Sequence, residues 1–208
     1  MSFYVCAGLY AEGPSDYQFL LPLIDRALLE LLSRHFPAQH ELAVSQGLPD
    51  IHMQGRAARI AATIGNSWDT FTLFVIHSDG ASDPDAARAN TIQPGIDLTR
   101  TQLHEAGRQE PLAVAVCMPI RELEAWLLVD PLVFERLGIK GAVLPPDPER
   151  VTDPKQALAA LLGRRKPPFD FFGEQIRLDA LRELRAYQAF EAELLAALHL
   201  LARPGRRA

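Results

Sequence analysis

The stretch "LFVIHSDGASDPD", Leu73 to Asp85, begins as an unbroken apolar run and turns acidic and turn-forming just after Ile76. An apolar run without alternation suits a strand covered on both faces, as in a parallel sheet with helices on either side. Two further runs read the same way as the strand at Phe71–Ile76: Phe3–Tyr10 before it and Leu112–Met118 after it. Glu41–Gln46 is a weaker fourth candidate. Helical spacing fills the gaps. Leu20, Ile24, Leu28 and Leu31 mark a helix from Ser15 to about His35, in which Pro22 predicts a kink or a short leading turn. Further helices are predicted over Gly55–Ile64 and Ile96–Ala106. Buried strands alternating with helices imply an α/β fold with a mostly parallel sheet flanked by helices.

Beyond Glu122 no strong strand signal follows. A proline-rich stretch, "LPPDPERVTDPK", intervenes and helical patterning resumes. Residues 1–129 therefore read as the α/β core and residues 130–208 as a helical C-terminal extension packed on it. Asp153-Pro154 predicts an N-cap and first-turn proline for the helix that follows. From Leu178 to about Leu201, the residues Leu181, Leu184, Phe190, Leu194 and Leu198 mark a packing helix or helix pair, and the "RPGRRA" tail is expected to fray.

At 208 residues the chain can bury a core without disulfide or metal staples. Cys6 and Cys117 lie in apolar runs and read as small buried hydrophobes. No apolar run approaches the ~20 residues of a membrane helix, and the N-terminus carries no basic leader or cleavage pattern, so a soluble, cytoplasmic protein is expected. The net charge of −5 offers no global attraction to nucleic acid, and any such contact must use local basic patches.

All three buried strands exit into acid: the first into Glu12-Gly13-Pro14, the second into Asp79, with Asp83 and Asp85 behind, and the third into Glu122 and Glu124 of "IRELEAW". In parallel α/β sheets the strand carboxyl ends share one edge, where ligands bind. Glu12, Asp79 and one of Glu122 and Glu124 are thus expected to converge. Crowded carboxylates need a cation among them, and oxygen ligands point to Mg²⁺ or Mn²⁺ rather than zinc. Glu12 caps nothing obvious, whereas Asp16 reads as a first-turn helix acid. Asp83 is either a ligand or the cap of the short helix that follows. A spacing of two puts Glu122 and Glu124 on different sides of a helix, so at most one would face the site.

In order and spacing, these motifs resemble the TOPRIM domain of topoisomerases, DnaG-type primases and OLD-family nucleases. "AEGPSDYQFL", "FVIHSDGASD", "PIRELEAWLLVD" and "DPKQAL" together look like a bacterial TOPRIM-type family that accompanies ATPase partners in defence or mobile gene clusters. The resemblance spans about Tyr4 to Leu198. It implies a metal-dependent phosphoester hydrolase, nuclease-like and acting on DNA or RNA. Asp79 would be the main metal ligand, Asp83 a helper, Glu12 a ligand or the general base, and Lys155 of "DPK" a phosphate partner. Arg121, Arg164, Arg165 and Lys166 are the further cations for nucleic acid. His77 stands where the pattern has its first aspartate; it suits Mn²⁺ better than Mg²⁺, or acts as proton donor or phosphate contact. The departure keeps open a second reading, a catalytically weak or inactive TOPRIM-fold partner of an ATPase.

Overall fold

The computed structural model describes residues 2–38, 40–49, 51–163 and 165–203. Arg164 and all of the "RPGRRA" tail after Arg203 lie outside them. Two short strand pieces, β1 (Phe3–Val5) and β2 (Ala7–Tyr10), form the first strand with a break at Cys6. Cys6 donates its N–H to Thr72 Oγ1 (2.9 Å) in place of a ladder bond. Helix α1 (Pro14–His35) leads to β3 (His40–Leu42) and β4 (Gln46–Gly47), then α2 (Arg56–Ser67) and β5 (Leu73–His77). The chain continues through α3 (Pro84–Ala87), a π-turn (Arg88–Ile92) and α4 (Gln93–Glu105) to β6 (Val114–Cys117).

Every strand pairing is parallel: β1 with β3, and the order β4-β2-β5-β6 for the rest. The register sets Tyr10 beside Ile76 and Ile76 beside Val116, so the three exits leave the sheet level with one another. Side chains alternate between two cores. Ala7, Leu9, Leu73, Val75 and Ala115 pack toward α1, whereas Tyr10, Phe74, Ile76 and Val116 pack against Ile60 and Ile64 of α2 and Ile96 of α4. A strand with apolar residues at every position is what this two-sided burial requires.

Three local expectations are corrected. Pro22 neither breaks nor delays α1, which runs unbroken through it. Phe19, Leu20, Leu23 and Ile24 around it are fully buried, and that burial outweighs the ~3 kcal/mol a mid-helix proline costs. The fourth strand is two short pieces rather than one. The helix expected over Ile96–Ala106 is α4, which begins at Gln93 and is joined to the short helix behind Asp83 through the π-turn just ahead of Pro94, which cannot donate to a carbonyl one turn back.

The C-terminal part is helical: α5 (Glu124–Leu127), α6 (Pro131–Arg136), a 3₁₀ turn (Pro148–Arg150), α7 (Pro154–Leu161), α8 (Phe169–Gln175), α9 (Leu178–Leu181) and α10 (Arg185–Leu201). It completes the α1 core with Phe134, Phe172, Tyr187 and Phe190, all fully buried. Helix α10 also covers the outer edge of β6, where Glu193 Oε2 accepts the Val116 N–H at 2.9 Å. An otherwise open strand edge is thereby closed to pairing with another chain. Among the described residues no helix is long and apolar enough to cross a membrane.

Candidate functional site

Each strand exit is shaped by its own backbone. After β2, Gly13 is the N-cap of α1, and its N–H is accepted by Asp16 Oδ2 at 2.9 Å. Asp16 thus closes a capping box with Gly13, in keeping with its reading as a first-turn helix acid. After β5, Gly80 donates to the Pro119 carbonyl at 2.8 Å, and a Cβ at Gly80 would lie 2.7 Å from that oxygen. Next to it, Ala81 and Arg121 form an antiparallel bridge, both in the left-handed region at φ 48° and 65°. These contacts lock the β5 and β6 exit loops together. The lock lets Asp79 Oδ1 accept the N–H of Leu123 at 3.1 Å.

His77 is almost wholly buried at the end of β5. Its Nδ1 lies 3.1 Å from the Cys117 carbonyl, and since a carbonyl only accepts, Nδ1 carries the proton. Nε2 then faces the site, 3.8 Å from Asp16 Oδ2 and 3.9 Å from Asp79 Oδ1. Burial pushes the Asp79 carboxyl above its ordinary value; His77 and Lys155 oppose the shift, Asp16 and Glu124 add to it. Glu124, at the start of α5, is raised chiefly by burial, with Glu122 and Asp16 adding and Lys155 opposing.

Lys155, at the first turn of α7, donates to Glu122 Oε1 at 3.1 Å. Burial by itself would lower its ammonium; the bond to Glu122 and the charges of Glu124, Glu122 and Asp79 raise it instead. Glu122 Oε2 is buried without a hydrogen-bond partner. The helix-face argument for the two glutamates does not apply, because α5 starts only at Glu124 and Glu122 precedes it in the loop. Both glutamates address Lys155.

Glu12 accepts from Arg56 of α2 and from Ser78 Oγ at 3.2 Å. It is therefore tied to the β5 exit through Ser78 rather than through Asp79. Asp83 serves as the cap of α3, its Oδ1 accepting the Ala86 N–H at 3.0 Å. Arg121 takes part through its backbone bridge. Lys166 lines a cleft of about 450 Å³ with Lys155, Glu124, Ser15 and Gln18, while Arg165 is exposed next to Lys166 in the chain. A second cleft, of about 700 Å³, shares Pro14 and Gln18 with the first and is lined also by Glu12, Arg56 and Arg59.

Sequence reasoning read Asp16 as a first-turn helix acid, which it is, but did not place it beside His77, and it missed Ser78, Arg56 and Arg59. Asp16 had a visible signal, since a first-turn acid of a helix that starts at a strand exit stands over the sheet edge. Arg56 and Arg59 had none: on an amphipathic helix they read as polar-face residues.

In kind, the donors suit a hard divalent ion: carboxylate oxygens, two of them held above their ordinary range, with a buried oxygen of Glu122 unpartnered. In position they are spread. Among the described residues no three His, Cys, Asp or Glu side chains are gathered closely enough to hold a metal. In comparisons with known proteins, the chain matches no family model, no curated protein and no solved structure.

Proposed function

We propose that the chain is a phosphoester hydrolase of the nuclease kind, with a TOPRIM-like sheet, acting on nucleic acid in a system with an ATPase partner. The observation that carries the reading is the meeting of Asp79, Glu122 and Glu124 with Lys155 at the carboxyl edge of a parallel sheet. The ATPase rests on the resemblance of the four motifs alone. As placed, these carboxylates do not enclose an ion; Mg²⁺ or Mn²⁺ would have to draw Asp79, Glu122 and Glu124 together, and when bound would neutralise charge building on the phosphate. Asp83, committed to its cap, is the weaker ligand candidate.

The chain's own groups supply the rest. Lys155 is placed to hold a phosphate oxygen against the carboxylates. The Nδ1–H bond to Cys117 fixes the His77 ring, so that Nε2 can hold or take up a proton between Asp16 and Asp79. Glu12, which pairs with Arg56 rather than Lys155, is the base candidate, and it becomes available when Arg56 leaves it.

Cleavage of labelled single-stranded DNA and RNA, with Mn²⁺, with Mg²⁺ and with chelator, tests this reading. Asp79→Asn and Glu124→Gln are expected to lose about 100-fold or more. Equal cleavage by parent and both variants would rule the site out.

A second reading, a non-catalytic partner subunit, is favoured by a specific observation: Glu12 and Glu122 are already neutralised by Arg56 and Lys155. Thermal melts separate the two. A metal-binding site gains ~2.7 kcal/mol at a hundred times its dissociation constant. The non-catalytic subunit gains nothing from Mn²⁺.

A further inference from the structure

The cleft beside Glu12 contains positive charge that the acidic edge does not use up. Arg56 and Arg59 stand one turn apart on α2, and the Nε of each is buried without a hydrogen-bond partner. Arg56 spends one terminal nitrogen on Glu12, and no acidic side chain pairs with Arg59 among the described residues. A guanidinium presents five N–H donors in a planar fork that matches the oxygens of a phosphate. Two such forks in a cleft of about 700 Å³, with buried Tyr10 in the wall, have the size and chemistry of a nucleotide-phosphate subsite.

The Glu12 carboxylate lies within the same cleft, about half exposed, and is the anion now held by Arg56. An incoming phosphate would compete with Glu12 for the same guanidinium. Glu12 also accepts from Ser78 of the β5 exit, so it has a second partner toward the acidic edge when Arg56 turns away.

We propose that Arg56 and Arg59 bind a backbone phosphate of a nucleic-acid strand beside the acidic edge, and that Arg56 passes from Glu12 to this phosphate on binding. The identity of the strand rests on the proposed function; the phosphate site does not. Glu12 is then both the anion that Arg56 holds before binding and the group that the substrate releases.

The test is fluorescence anisotropy of a short labelled oligo-deoxythymidine strand with the full chain, in chelator so that nothing is cleaved, across a salt series. Arg59→Gln is expected to weaken binding about tenfold and to lower the slope of log affinity against log salt by about 0.7, the value for one phosphate contact on a single strand. Arg59→Lys retains the slope but loses part of the affinity. Glu12→Gln is expected to tighten binding several-fold, because the competing anion is gone; a merely structural Glu12 would not move affinity in that direction. Arg100→Gln, on the exposed side of α4, is the control and leaves binding unchanged. Melting curves matching the parent show that each variant folds.

Strand binding that ignores Arg56→Gln and Arg59→Gln overturns the subsite while leaving nucleic-acid binding intact. Unchanged or weaker binding by Glu12→Gln overturns the transfer of Arg56. Where the strand does not bind but inorganic phosphate binds in an Arg59-dependent way by calorimetry, the subsite stands and the nucleic-acid reading falls. Binding of neither probe overturns the subsite.

Discussion

Two carboxyl systems in this chain respond to pH in opposite directions. Asp130 is fully buried and accepts from the N–H of Leu132 (3.1 Å), the N–H of Arg177 (2.9 Å) and the Arg177 guanidinium (3.0 Å). Burial would raise its carboxyl, but these bonds win and hold it below the ordinary range. Its stabilisation is therefore present above the ordinary carboxylate range and is lost as pH falls through the lowered value. Arg177→Ala leaves a buried carboxylate with backbone donors only, and a loss of about 3 kcal/mol in urea unfolding at neutral pH is expected. Glu124 and Asp79 are raised instead, so their favourable contribution is present at acid pH and fades as pH rises from the ordinary carboxylate range through the raised values. Glu124→Gln is accordingly expected to melt at or above the parent temperature at neutral pH, with a flatter decline between mild acid and neutrality. A variant that melts lower at every pH would mark Glu124 as a packing residue rather than a strained acid.

At the level of elements, close backbone approach decides two glycines. Gly173 of α8 lies against α1 so tightly that a Cβ would meet the Phe19 carbonyl oxygen at 2.3 Å and the Pro22 ring at 2.7 Å. Neither neighbour can yield cheaply, one being helix backbone and the other a ring. Gly173→Ala is expected to cost 1–3 kcal/mol by pushing α8 off α1, read in chemical denaturation. Here Pro22 acquires a use that its position in a helix does not advertise: its ring is part of the surface on which α8 sits. Gly80 is the matching case in the loops. Gly80→Ala would strain the Gly80–Pro119 bond and the left-handed bridge beside it, moving Asp79 from the Leu123 N–H. Both a loss of stability and a loss of the site's function are expected there, whereas Gly173→Ala affects stability alone. Asp153 shows what short-range pattern reads well, since it accepts the N–H three residues on as its sequence predicts, whereas Asp83, left open between ligand and cap, is settled as a cap only by the structure.

Across the whole molecule, one core joins α1 and the sheet to the helices after Val129, with Trp126, Phe134, Phe172 and Phe190 among its fully buried members. The chain is therefore expected to unfold in one calorimetric transition, and a fragment ending at Val129 to expose that face and fail to give a cooperative melt. Two separate transitions would show the C-terminal helices to be an independent unit. The α/β class, the parallel sheet and the acidic strand exits were legible in the amino-acid order, because apolar periodicity and turn chemistry act between residues near in sequence. What surrounds each acid was not. Arg56 reaches Glu12, Asp16 stands near His77, and Lys155 meets Glu122 because helices far apart in sequence dock at one sheet edge. Such pairings depend on distances in space that no local pattern encodes, so the sequence specified which groups are acidic and where the strands end, while the packing of α2 and α7 selected the cation that each of them faces.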